Sequence, residues 1–339
     1  MEAVYTINTV KCAARTFNVK RILLLAIFLI AIGFVFSFIS GKTSGNLVLD
    51  TYPINDLLPH AHNQQDSASD PGHHVQRVSP IFTAPRDMYI SEFYFDIINA
   101  PDVVVHHAVL FDLDHQNDTC AFLPMRELFL TGQDLMHNKT IALPQGYALK
   151  IKKGTRLQLF LAVHNPGPPV GPGGEYRNVY GHLILKESSL PSNKLSLVQF
   201  RFLHLDEIPC GFTQPDLSDI HTFLIPPHVT NFYFSRSRND ISSSFVFPAS
   251  SSVVYMGGHL HGWQGGKEVS VEKNGVPFHH FFTHPSPNVP YRFDTIHFAT
   301  STHFDAGDRI SISAYYSNPH EEKSSGAMGM LGFYYAAEQ

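Results

Sequence analysis

The chain has 339 residues, a formal net charge of −5 and 16% charged residues, with no basic block. That balance excludes a charge-driven nucleic-acid surface. Beyond residue 45 the composition is that of a soluble globular protein, and nearly three hundred residues exceed one ordinary core, which predicts two domains.

Residues 1–21 carry Lys11, Arg15, Lys20 and Arg21 against one acid, Glu2, and read as a cytosolic tail. Ile22 to Ile39 follows without a charge, near the lower length limit for a membrane-crossing helix. The positive-inside rule leaves the N-terminus in the cytosol, which makes the chain a single-pass type II membrane protein with its folded part lumenal or extracellular. A cleavable signal peptide is the rival reading, favoured by Ser40-Gly41 but opposed by the long leader and hydrophobic run. Residues 40–80 are polar and rich in Pro, Ser, Asp and His, as a tether is.

After the tether come short β-branched and aromatic runs between turn signals: MYISEFYFDI, VVVHHAVLFDL, RLQLFLAVH, SVVYMGGHLH, EVSVEK and RISISAYY. Helical periodicity is absent. The pattern, with 23 Gly and 23 Pro, predicts an all-β chain of two consecutive, jelly-roll-like β-sandwiches behind the transmembrane helix. The first is expected over 81–190 and the second over 195–339, with a seam at the polar stretch Glu187 to Asn193.

Of three cysteines, Cys12 falls on the cytosolic side, where a juxtamembrane thiol is either free or palmitoylated. Cys120 and Cys210 face an oxidising compartment and are a possible disulfide. Asn117-Asp118-Thr119 and Asn138-Lys139-Thr140 are glycosylation acceptors on the same side.

Histidine is abundant, with 21 residues, so roughly 1.3 adjacent pairs are expected by chance, and the chain has three. Context must therefore separate them. His73-His74 are solvated in a polar segment, and His279-His280 fit core or surface equally. His106-His107 interrupt an apolar strand, where unsatisfied imidazoles cost a few kcal/mol each. Backbone hydrogen bonds would satisfy them, and so would a metal. Adjacent strand residues point to opposite faces, so joint ligation requires a strand end or a bulge. His259 and His261 in MGGHLHGWQGG leave the same face of a strand, the geometry of two ligands on one ion. His164 ends a hydrophobic strand before a turn. Met328 and Met330 are core filler unless a thioether beside imidazoles selects copper, Cu(I) in particular.

In order, His106-His107, His164-Asn165-Pro166, His259-x-His261 and Met328 resemble the copper type II, ascorbate-dependent monooxygenases, the family of dopamine β-hydroxylase and peptidylglycine α-hydroxylating monooxygenase. The likeness extends over about residues 80–337 and includes GGHLHGWQGGKEVSV and HFDAGDRISISAYYSN. The resemblance implies two copper ions facing a solvent-filled cleft. His106, His107 and His164 would hold an electron-storing ion, and His259, His261 and Met328 the one that binds O₂. It implies ascorbate as reductant, O₂ and a small organic molecule as substrates, and no separate catalytic side chain. Departures are specific. Gly257 stands where peptide-amidating members have a carboxylate-clamping arginine, and Met330 and Gly332 where they have Asn and Tyr. A peptide C-terminus is thus an unlikely substrate. Gly326 and Ala327 replace the acidic residues before the methionine, and most of the family's disulfides are missing. A non-catalytic lumenal module binding copper or another ligand is the alternative. HLHGW is also similar to a multicopper-oxidase motif, but that class needs a blue-copper Cys and no cysteine follows Cys210.

Overall fold

The computed structural model describes residues 45–58, 75–115, 125–132, 136, 138–165, 174–205, 223–235, 242–260, 265–284, 292–293, 295–321 and 323–338. The expected anchor at 22–39 lies outside them, as do Cys12, Cys120, Cys210, Asn117, His261 and the His73-His74 pair. Among the described residues no helix is long and apolar enough to cross a membrane.

Residues 46–339 cluster as one compact unit, and its described part is nearly all strand. The first eleven strands are β1 (Asn46–Asp50), β2 (Ile54–Leu57), β3 (Val75–Val78), β4 (Phe82–Thr83), β5 (Met88–Ile98), β6 (Val105–Asp112), β7 (Arg126–Gly132), β8 (Thr140–Ala142), β9 (Tyr147–Ile151), β10 (Arg156–Val163) and β11 (Tyr176–Glu187). Then follow β12 (Ser196–His204), β13 (Phe223–Ile225), β14 (Val229–Ser235), β15 (Ser244–Val246), β16 (Ser251–Leu260), β17 (Gly266–Lys273), β18 (Val276–His284), β19 (Arg292–Phe293), β20 (Thr295–Phe304), β21 (Arg309–Asn318), β22 (Ser324–Ala327) and β23 (Gly329–Ala337).

Ten strands form one sheet, in the order β1-β11-β5-β9-β12-β23-β16-β20 with β2 and β8 at its side. The polar stretch 187–193 connects β11 to β12, both of which belong to this sheet. Its two halves meet where β12 runs parallel to β9, with Ser196 opposite Tyr147. A five-stranded sheet, β3-β10-β6-β7 with β4, packs against the first half. There Phe93, Phe95, Leu183 and Leu185 meet Leu110, Leu128, Leu157 and Leu159 in the first core. A six-stranded sheet, β14-β21-β17-β18-β19 with β15, closes the second core, where Val269, Val271, Ile310 and Ile312 meet Met256, Leu331 and Phe333.

Period-two alternation, interrupted in β16 by a register shift that puts both Val254 and Tyr255 in the first core, explains how β16 and β23 serve both cores. Tyr255, Tyr334 and Ala336 belong to the first core, while Met256, Leu331, Phe333 and Tyr335 belong to the second. Every residue of β16 is buried, the double-sided cover that demands an almost unbroken apolar run. Tyr334 shows what that burial entails. Its ring stacks near Phe93, Phe200 and Tyr255, its hydroxyl donates to the Leu128 carbonyl at 2.8 Å, and desolvation raises its pKa well above the usual phenol value.

Candidate metal centre

The His106-His107 pair sits on a β-bulge. Across β10, Ala162 pairs with His107 and Val163 with Val105, which leaves His106 as the extra residue on β6. The core assignments change parity there. Val105, Ala108 and Leu110 belong to the first core, whereas Val109 and Phe111 join Phe160 and Ala162 in a separate cluster. In a regular strand the two imidazoles would leave opposite faces. Here their ring centroids are 4.2 Å apart at an interplanar angle of 64°. His107 is buried and His106 half-buried.

His259 comes from the other sheet. Its Nε2 lies 3.0 Å from Nε2 of His107, with the ring centroids 4.9 Å apart. One ring donates and the other accepts, so the contact requires at least one neutral imidazole. Across the ten-stranded sheet, His259 on β16 is level with Met330 on β23, and Met330 is level with His204 on β12. All three are buried. Cross-strand partners carry their side chains on one face with Cβ atoms about 5 Å apart, so His204, Met330 and His259 form a row across three strands. The next row, Gly332 opposite Gly257, has no side chains and opens a narrow recess walled by Leu130, Ile141, Phe200 and Tyr255, with His259 and Met330 at its edge. A Cβ at Gly257 would come within 2.8 Å of the Tyr255 hydroxyl, and one at Gly332 within 3.1 Å of the Phe200 ring.

The remaining expected ligands lie around this cluster. His164 follows the last residue of β10, and its backbone N–H donates to the Val104 carbonyl at 2.8 Å, beside the bulge. The next residue, Asn165, pins the turn by donating through Nδ2 to the carbonyls of Leu57 and Gly174 at 3.2 and 2.8 Å. Met328 is buried one residue before β23, its backbone clamped by the Tyr316 hydroxyl. The structure therefore joins His106, His107 and His259, drawn from both expected ligand sets, and sets Met330 in register with His259. Of the glycosylation acceptors, Asn138 is half-buried and its Oδ1 accepts from the Thr140 N–H at 3.4 Å. The second-half pair does not share a face: His280 Nδ1 meets Glu268 on the exposed side, while His279 rests edge-on against buried Phe281, ring centroids 4.6 Å apart.

Imidazole nitrogen and thioether sulfur are donors suited to Cu(I). Two nitrogens bonded at about 2.0–2.1 Å to one tetrahedral ion stand about 3.3 Å apart. The His107–His259 separation of 3.0 Å is only a few tenths short of that. Among the described residues no three His, Cys, Asp or Glu side chains gather into a ligand set. His204 was not singled out from the sequence. As a lone histidine ending an alternating run, it became legible only through its register with Met330.

No family model matches the chain, and no curated protein matches it. Among solved structures it is similar to the major capsid protein P2 of bacteriophage PM2, at 8% identity and a TM-score of 0.34, over 87% of this chain and 98% of that one. It is also similar to PNGF-II, at 12% identity and a TM-score of 0.36, over 86% of this chain and 66% of that one. Neither likeness is strong enough to carry an argument about function.

Proposed function

We propose that the chain is a copper-dependent monooxygenase that hydroxylates a C–H bond of a small organic substrate with O₂ and a one-electron reductant such as ascorbate. In this reading two consecutive β-sandwiches of jelly-roll type follow a membrane helix at 22–39 and lie in the secretory lumen or outside the cell. The observation that supports it most is the bulge that brings the His106 ring against that of His107, which in turn meets His259. His106, His107 and His164 would hold one copper, and His259, His261 and a methionine the other. Copper, when bound, supplies the electron transfer and oxygen activation. The protein's part is to orient the imidazoles and to exclude water behind Leu130, Ile141 and Phe200. With glycine at 257 the recess has no cation there to clamp a carboxylate.

A second reading, a non-catalytic copper-binding module, is favoured by the His107–His259 contact itself. A relay centre and an oxygen centre need separate ions, and that contact joins their ligand sets. Copper analysis of the full-length protein, paired with oxygen uptake under ascorbate, separates the two. Two coppers per chain with ascorbate-dependent uptake support the monooxygenase. Stoichiometric copper with no uptake leaves the binding module, and absence of copper binding overturns both.

A further inference from the structure

We propose that His107, His259 and Met330 together form one buried site for a single Cu(I) ion, shared between the two sheets. This rests on reading the chain as a copper protein in its binding-module form, since the monooxygenase form assigns His107 and His259 to separate ions, and it changes which residues act together. Three observations carry it. The Nε2 atoms of His107 and His259 are already at 3.0 Å across the sheets. Met330 is level with His259 on the neighbouring strand, and both line one recess. All three donors are buried, with exposures of 7% for His107 and 4% for both His259 and Met330. An imidazole-and-thioether N,N,S set in low dielectric suits a monovalent ion, because each added charge raises the desolvation cost and no carboxylate among the described residues lines the recess to offset it. His204 closes the other side of Met330, and His106 packs against the His107 ring and sets its tilt.

The test uses Cu(I) itself, added anaerobically to the full-length protein against a chromophoric Cu(I) chelator, with X-ray absorption to identify donor atoms. Wild type is expected to show a sulfur donor. Met330→Leu should abolish that sulfur signal and weaken the site at least tenfold, while Met256→Leu, on the opposite face of β16, changes neither. His107→Ala and His259→Ala should each weaken the same ion about a hundredfold, and the double variant should be no worse than either single. Thermal melting checks the fold of each, and Gln replaces Ala wherever an Ala variant does not fold. Loss of two different ions in the two histidine variants would overturn the shared site, and so would a sulfur signal that follows Met328→Leu instead. Loss of two different ions would match the separate ligand sets of the monooxygenase reading, whose own test remains ascorbate-dependent oxygen uptake. Conversely, a shared site without uptake would leave this proposal intact.

Discussion

The Tyr316 hydroxyl donates to the backbone carbonyl of Met328 and accepts from the same residue's N–H at 3.0 Å. One buried side chain thus satisfies both backbone groups of the residue that links β22 to β23. Tyr316→Phe leaves two buried polar groups to find new partners, each costing about 1–3 kcal/mol if it finds none. The variant should therefore lose at least ~1 kcal/mol in urea unfolding. An unchanged midpoint would mean that the clamp contributes nothing.

The His107–His259 contact predicts coupling in the metal-free protein. A neutral hydrogen bond contributes about 0.5–1.5 kcal/mol net, so a double-mutant cycle on the two alanine variants should return an interaction energy in that range. Strict additivity would show that the rings only lie side by side.

Gly265 and Gly307 both have positive φ, +82° and +90°, but their surroundings differ. A Cβ at Gly265 would lie 1.8 Å from the Ser317 carbonyl oxygen, whereas one at Gly307 meets nothing within 4 Å. Gly307→Ala should cost only the left-handed strain, about 1–2 kcal/mol. Gly265→Ala should cost clearly more, because the Ser317 N–H to Gly265 carbonyl bond at 2.8 Å must break or shift. Equal melting temperatures for the two variants would contradict this.

Asp308 sits at the turn into β21, and hydrogen bonds from Lys273 and then Asn274 lower its carboxyl pKa to about 2. A lowered pKa stabilises the fold above the unfolded carboxylate value of ~3.9, and that contribution is lost as pH falls through the folded value near 2. Asp308→Asn should flatten stability against pH between about 4 and 2 and cost under ~1 kcal/mol at neutral pH, as surface pairs do. His303 has the opposite sign. Hydrogen bonds to Glu338 and Asp305 raise its pKa, so its contribution is present below the unfolded histidine value and disappears as pH rises through the raised one. His303→Gln should remove that loss, and a parallel pH profile would refute the assignment.

Much of the strand pattern was legible from the sequence. MYISEFYFDI lies within β5, RLQLFLAV forms β10 and RISISAYY opens β21, because period-two burial is a local property written in each segment. That joint ligation by His106-His107 requires a strand end or a bulge was also readable, since adjacent residues of a regular strand point to opposite faces. That a bulge occurs depends on β10, whose Ala162 is 55 residues beyond His107, and no local pattern encodes that. The His204–Met330–His259 row was hidden for the same reason, because register between distant strands is settled by packing both faces at once.

β23 follows every other described strand in the chain, yet it lies inside the ten-stranded sheet, between β12 and β16. During synthesis from N- to C-terminus, β12 and β16 therefore wait with facing edges bare until residues 329–337 leave the ribosome. Tyr334 reaches the first core only then. Two unpaired strand edges beside an unfinished core are sticky. Pairing of β12 with β9 can form earlier, but both facing edges stay open until β23 is made, and only β23 ties β16 and β20 to the rest of the sheet.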